Sequence, residues 1–369
     1  MILPLKHYKR ARPRPRRRTG RSVMIVSCVI ASALSACGSA PVGRGISLLP
    51  DADAKNQTWR WTQPCPLGPT IAGTCAPSGP DLGHLQLNAD DWNLGAAPGR
   101  AGSVDMSMSS RGALAIEGHL PSAPPCTGST CIAPSANTWV RGFPSVLYGI
   151  NQCSARTSPP VSPALRLPMK VSAIPADLIG TTTYASQTPN DTYDIAYDMW
   201  LNPTGTKTPC KTDGTLEVMV WTDYDQGALL PDTVIGTASV PFSVNGVFHS
   251  GNDAWSVSVS NVYGGGHTVP WGGTVWIVLN KAYAVATGTV SVDLSAVFSE
   301  VAALLQDDYG WSNVRSTYWL DTVPFGMEFG PRSSTVDSTG PSDFSLRLSS
   351  YCLGVGMTVS EATCGGVTR

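Results

Sequence analysis

The chain has 369 residues, with 37 glycines and 30 prolines but only 14% charged residues, a balance that favours short strands and frequent turns over long surface helices. The formal net charge of −1 conceals a split: nine of the 25 basic residues precede residue 22, and no acidic residue precedes Asp51. From Cys37 onward 16 basic residues stand against 26 acidic ones, a net of −10, which argues against nucleic acid or an anionic lipid surface as a partner of the folded part.

Residues 1–37 read as a targeting segment. A long basic stretch that includes Arg16-Arg17-Arg18 is followed by a run of apolar and small residues from Val23 to Ala36. Fourteen residues are too few to span a bilayer comfortably as a helix. The run ends in Leu34-Ser35-Ala36-Cys37, which looks like a bacterial lipobox in which Cys37 is acylated and becomes the first residue after cleavage. The alternative is ordinary secretion, with cleavage after a nearby Ala and Cys37 incidental. Either route exports the protein, to the outer face of the bacterial membrane or to the medium. Membrane contact is then expected only through the lipid. Residues 38–80, rich in Gly, Pro and Ala, read mainly as a tether.

Ten cysteines in an exported chain predict disulfides. Cys28 lies in the apolar run and Cys37 would carry lipid, which leaves Cys65, Cys75, Cys126, Cys131, Cys153, Cys210, Cys352 and Cys364. The shortest loops close between Cys65 and Cys75, Cys126 and Cys131, and Cys352 and Cys364. Cys153 with Cys210 follows by elimination. Zinc is disfavoured because no Cys-x-x-Cys pair occurs and the five histidines are scattered. No metal or organic cofactor is expected.

From Asp81 to the end, short alternating runs are separated by Gly, Pro, Ser and Asn. They include Ala113 to Glu117, Leu216 to Trp221, Val257 to Val259 and Thr274 to Leu279. One segment has helical spacing, Asp293 to Leu305, with Asp293 as its N-cap. Many strands and one helix predict a single all-β domain over residues 81–369, a two-sheet antiparallel sandwich or jelly roll.

Two glutamates stand out. In Leu216-Glu217-Val218-Met219-Val220-Trp221 the apolar residues take one strand face, while Glu217, Met219 and Trp221 take the other. In Phe325-Gly326-Met327-Glu328-Phe329-Gly330 the carboxyl shares its face with two glycines, an arrangement expected to leave room for a ligand. A carboxylate beside an indole suits a sugar-cleaving groove, because the indole face stacks on a pyranose ring. Trp92, Trp139, Trp221 and Tyr148 are the candidate sugar platforms, and Met219 a candidate floor.

At these residues the chain resembles glycoside hydrolase family 12, the small β-jelly-roll endoglucanases and xyloglucanases. The family pattern Glu-hydrophobic-Met-hydrophobic-Trp matches Glu217 to Trp221, and Gly-hydrophobic-Glu matches Gly326 to Glu328, 111 residues later for the second glutamate. Tyr197-Asp198-Met199-Trp200-Leu201-Asn202-Pro203, Gly142 to Gly149, and Leu85 to Asn93 are similar to three further family segments, in the same order. The resemblance implies a concave sheet lining a cleft and one helix packed on the convex side. It implies Glu217 as nucleophile, Glu328 as general acid/base, and Asp198 as the carboxyl that orients Glu217. Tyr193-Asp194 competes for the Asp198 match, but the Trp-Leu-Asn-Pro that follows Asp198 favours Tyr197-Asp198. The implied activity is retaining endo-β-1,4-glucanase, acting as a monomer on cellulose-like glucan, mixed-linkage glucan or xyloglucan.

Two departures touch substrate choice. The family's Asn-Asn-x-Trp reads Ala89-Asp90-Asp91-Trp92, which puts the acid Asp90 where an amide is expected to meet a sugar hydroxyl. The segment Thr222 to Gly236, expected as a loop, carries Asp223, Asp225 and Asp232. A related hydrolase acting on another wall polysaccharide, or a non-catalytic sugar-binding lipoprotein on the same scaffold, are the alternatives.

Overall fold

The computed structural model describes residues 46–47, 58–61, 81–82, 84–88, 103–109, 113–120, 142–150, 157–188, 191–205, 214–225, 234–260, 262, 273–311, 313–331, 342–362 and 364. In chain order the strands are β1 (Ile46–Ser47), β2 (Thr58–Trp61), β3 (Asp81–Leu82), β4 (Leu85–Asn88), β5 (Ser103–Met108), β6 (Leu114–Leu120) and β7 (Ser145–Gly149). Next come β8 (Met169–Lys170), β9 (Ile179–Gln187), β10 (Asp191–Asn202), β11 (Leu216–Tyr224), β12 (Val234–Ala238), β13 (Phe242–Val244) and β14 (Val247–His249). The set ends with β15 (Trp255–Ser260), β16 (Gly273–Leu279), β17 (Thr287–Asp293), β18 (Trp319–Pro331) and β19 (Ser342–Gly354), with helices α1 (Leu294–Asp307) and α2 (Val314–Thr317) before β18.

These strands form two sheets, as the alternating pattern predicts. One runs β14-β13-β17-β9-β19-β6-β5-β2, with β1 on β19. The other runs β12-β15-β16-β11-β10-β18-β7-β4-β3, with β8 on β18. All described pairings are antiparallel except β11 with β16, which is parallel. Between those two strands the chain leaves for the other sheet to form β13 and β14 and then returns, so the two neighbours run the same way. β1 and β2 lie inside the segment read as a tether, and the sheet thus takes in part of residues 38–80.

The main core fills the space between the sheets. On the ten-stranded sheet it takes alternate residues: Ile195, Tyr197, Met199 and Leu201 from β10, Leu216, Val218 and Val220 from β11, and Val323, Phe325, Met327 and Phe329 from β18. The Tyr197 hydroxyl meets Thr182 Oγ1 at 3.0 Å, a link between the sheets. α1 starts where expected. The Asp293 carboxylate accepts a hydrogen bond from the Ala296 N–H at 2.9 Å, satisfying one of the free donors of the first turn. Its apolar stripe of Leu294, Val297, Phe298, Val301 and Leu305 is buried in the core, with the Leu294 N–H donating to the Leu178 carbonyl beside β9. The short turn α2 is an addition to the single helix expected. Near the C-terminus Cys352 and Cys364 form the disulfide that their short loop predicts.

Candidate active site

The residues that skip the core line the opposite face of the ten-stranded sheet. β10 presents Asp194, Ala196, Asp198, Trp200 and Asn202. β11 presents Glu217, Met219 and Trp221, and β18 presents Pro324, Gly326 and Glu328. Registers fix their neighbours. Glu217 lies opposite Trp200 on one side and Thr274 on the other. Met219 lies between Asp198 and Trp276. Glu328 lies opposite Asp194. β10 thus separates the two glutamate strands, and four carboxyls, Asp194, Asp198, Glu217 and Glu328, form one electrostatic cluster.

Three features set the local shape. Thr222 is an extra residue in β11, since Ile195 pairs with Asp223 and the next residue, Ala196, with Trp221. This bulge turns both Trp221 and Tyr224 to the site face, with ring centroids 5.8 Å apart, and turns Asp223 away. Asp223 is buried and paired with Lys281 at 2.6 Å, and it accepts a hydrogen bond from the Tyr193 hydroxyl at 3.0 Å. Thr222 to Tyr224 is therefore strand rather than loop, and Asp223 is a packing residue. Gly326 also differs from expectation. A Cβ there would lie 2.3 Å from the Pro144 carbonyl oxygen and 2.7 Å from the Ser145 Cβ. The glycine admits the neighbouring chain of β7, and the room it makes is not open to a ligand. The third feature is a second bulge: Trp200 pairs with Thr322 and Leu201 with Leu320, which leaves Asp321 extra in β18.

Charge at the site is uneven. The Glu217 carboxylate accepts a hydrogen bond from Thr274 Oγ1 at 2.7 Å. Asp194 is 0% exposed, and apart from the neighbouring carboxyl of Glu328 neither of its oxygens has a hydrogen-bond donor among the described residues. Burial pushes its carboxyl well above the ordinary range; the contact with Glu328 lowers it, and Asp198 and Glu217 raise it further. At the Trp200 end, burial pushes Asp321 up to about 7, opposed by a hydrogen bond from Asn202.

Of the residues singled out from sequence, Glu217, Glu328, Asp198, Met219 and Trp221 come together on this face. Met219 and Trp221 pack with Phe143, Ala196, Tyr224 and Val278 in a small apolar cluster separate from the main core, and Trp276 is half-buried against it. Trp221 is 2% exposed, so its indole serves as floor rather than open platform. Tyr148 goes the other way. It is buried in the main core, its hydroxyl donates to the Leu165 carbonyl and receives the Val161 N–H at 3.1 Å, and this removes it from the candidate sugar surface. Asp90, Trp92, Trp139, Cys37, Cys65, Cys75, Cys126, Cys131, Cys153 and Cys210 lie outside the described residues. Thr274, Trp276 and Asp321 were not picked out, and Asp194 only as the rival match for Asp198. Period-two counting back from Asp198 reaches Asp194, and counting along Thr274 to Leu279 pairs Thr274 with Trp276, so those three carried a signal. The bulge that places Asp321 carried none.

No family model matches the chain, and no curated protein matches it. Solved structures do. A native family 12 xyloglucanase from Bacillus licheniformis is 15% identical, with a TM-score of 0.50, 80% of this chain covered and 99% of that one. An endo-1,4-beta-glucanase is 16% identical, with a TM-score of 0.47 and coverage of 80% and 97%. Endoglucanase 3 of Trichoderma harzianum, from the same family, is 16% identical, with a TM-score of 0.45 and coverage of 82% and 99%. At such identity the likeness to the xyloglucanase establishes the fold alone: a two-sheet β-jelly roll of the kind found in the family 12 glycoside hydrolases.

Proposed function

We propose that the protein is an exported retaining endo-β-1,4-glucanase that cleaves internal β-1,4-glucosidic bonds of cellulose-like glucan, mixed-linkage glucan or xyloglucan. The observation that carries this reading is the placement of Glu217 and Glu328 on one face of one sheet, on the two strands that flank β10. Glu217, ionised and held by Thr274, attacks the anomeric carbon. Glu328 gives its proton to the departing glycosidic oxygen, and a glycosyl ester forms on Glu217. Glu328, now a carboxylate, takes a proton from water, whose oxygen attacks the anomeric carbon and frees Glu217. Asp198, diagonal to Glu217 across the β10–β11 ladder, orients the nucleophile. Trp276, half-buried, offers its indole along the same face, with Trp92, Trp139 and Asp90 as further substrate contacts. The two carboxyls suffice for the chemistry without a cofactor.

Export through the N-terminal segment, with Cys37 as lipid anchor, would keep the enzyme on the cell that takes up the products. The test is reducing-sugar release by the purified protein from carboxymethyl-cellulose, barley β-glucan and xyloglucan, beside Glu217→Gln. Release that the variant abolishes is the expected result. No release from folded protein on any of the three would overturn the glucanase assignment.

A further inference from the structure

The two-glutamate chemistry leaves one buried carboxyl of the site without a task. Asp194 lies directly across the β10–β18 ladder from Glu328, so the two side chains stand next to each other on the site face. It is wholly buried, and Glu328 supplies the polar contact its oxygens otherwise lack among the described residues. Two carboxyls make a hydrogen bond only if at least one carries a proton. The surroundings favour protonation. Glu328 faces Asp194 from β18, Asp198 lies two pairs along its own strand, and Glu217 stands on β11. Tyr224 is its partner on β11, and Tyr193 and Asp225 lie close by, joined through the Asp225 N–H and the Tyr193 carbonyl at 2.9 Å. The nearby cation, Lys281, is tied to Asp223 and to the Tyr224 carbonyl.

We propose that Asp194 is a positioning residue for Glu328, a neutral buried acid whose O–H donates to the Glu328 carboxyl and holds it toward the glycosidic oxygen. The proposal rests on Glu328 being the acid/base. In the first step the Glu328 proton goes to the leaving oxygen, and the carboxylate that remains already receives the Asp194 hydrogen bond. In the second step the proton from water returns to Glu328, and Asp194 keeps its own throughout. No proton is created or lost by the pair across the cycle.

Three variants and two readouts test this. Asp194→Val removes the donor, and because it replaces a buried polar group with an apolar one of similar size it is expected to fold. Its kcat should fall about tenfold or more while KM stays within about twofold, the signature of a contact made in the transition state. Asp194→Asn restores a neutral donor and should recover most of the lost kcat. Its alkaline limb should lie at higher pH than that of the natural protein, because an amide is a weaker donor than a carboxylic acid and stabilises the Glu328 carboxylate less. The second readout needs no activity: carbon-13 NMR of carboxyl-labelled aspartate, with the Asp194 signal identified by its loss in Asp194→Asn. Its titration should shift in Glu328→Gln. An Asp194→Val enzyme with natural kcat and pH profile, or an Asp194 signal indifferent to Glu328→Gln, overturns the proposal. A natural protein inactive on glucans would overturn the glucanase reading instead, and the NMR coupling would still decide whether the pair exists.

Discussion

Asp223 and Asp194 are both buried, lie on adjoining strands, and are treated in opposite ways. Asp223 has a cation at 2.6 Å and a tyrosine hydroxyl at 3.0 Å, so its charge is matched where it sits. Asp194 is faced by three other carboxyls. Taking a charge out of water is costly unless it is paired, and evolution removes such costs unless something is gained. The comparison separates carboxyls that hold the fold from carboxyls that do chemistry. Asp223, and Asp293 at the head of α1, belong to the first kind. On the proposed mechanism Asp194, Glu328, Asp198 and Glu217 belong to the second, and the bulge at Thr222 keeps Asp223 off their face.

The largest effect that would sharpen this division is on Glu217. Glu217→Gln should lower glucan hydrolysis by a factor on the order of 10^4 or more, with little change in the midpoint of denaturant unfolding. A variant that loses stability in proportion to activity would place Glu217 with Asp223 instead. Next comes Asp321, buried at the Trp200 end with its carboxyl pushed up to about 7 from an ordinary 3.8. A buried acid with a raised value favours the fold most when protonated. Its contribution is therefore complete below about pH 4, declines as pH rises, and is gone above about pH 7. The shift of about three units corresponds to roughly 4 kcal/mol lost across that window. Asp321→Asn keeps an acceptor for Asn202 and should flatten the loss, so that at pH 8 it unfolds at higher urea than the natural protein while at pH 4 the two nearly coincide. Equal midpoints at both pH values would show that Asp321 is matched like Asp223.

How much of this was legible in the sequence follows the same division. Period-two alternation sorted Glu217, Met219 and Trp221 from Leu216, Val218 and Val220, and it did the same for Glu328 against Phe325, Met327 and Phe329, because a regular strand has no other way to place its side chains. The Asp293 cap and the α1 stripe were equally plain. Alternation failed where a bulge broke it. Counting from Glu217 puts Asp223 on the site face, and only the extra residue Thr222 turns it onto Lys281, 58 residues further along the chain. Tyr148 was misread for a different reason. Its motif matched a family segment, but its hydroxyl is satisfied by Leu165 and Val161 inside the core, partners that no local pattern announces. Gly326 was read as space for a ligand when it is space for β7, since a sequence does not reveal which backbone comes close.

Lys281 tests the matched side. Its side chain is 35% exposed and that of its partner Asp223 1% exposed, so the pair is only partly screened by water. Lys281→Met keeps an apolar chain of similar length and removes the charge, both from Asp223 and from the face of Tyr224, where the ammonium stands 4.8 Å from the ring centroid. Breaking a buried pair costs 3–5 kcal/mol, and the exposure of this lysine reduces that to about 2 kcal/mol. Chemical denaturation should record that loss with kcat changed less than about threefold. A Lys281→Met protein as stable as the natural one would mean that Asp223 tolerates isolation, and the contrast with Asp194 would lose its force.

An effect comparable to that at Lys281 lies on the boundary between the two kinds of carboxyl, because Glu217, the proposed nucleophile, nevertheless has a donor. Thr274 Oγ1 stands 2.7 Å from Glu217 Oε2, across the parallel β11–β16 ladder. Thr274→Val is nearly the same shape, suits a strand and leaves the packing at this buried position intact, so stability should hardly change. The bond to Glu217 goes with the hydroxyl, and a hydrogen bond to a charged group is worth about 1.5–3 kcal/mol. If the bond fixes the nucleophile for attack, the loss falls on kcat, about tenfold or more, and KM is spared; Thr274→Ser, which keeps the hydroxyl, should recover most of it. If Thr274→Val raises KM and leaves kcat alone, the hydroxyl serves substrate binding, and Asp198 is left as the group that orients Glu217.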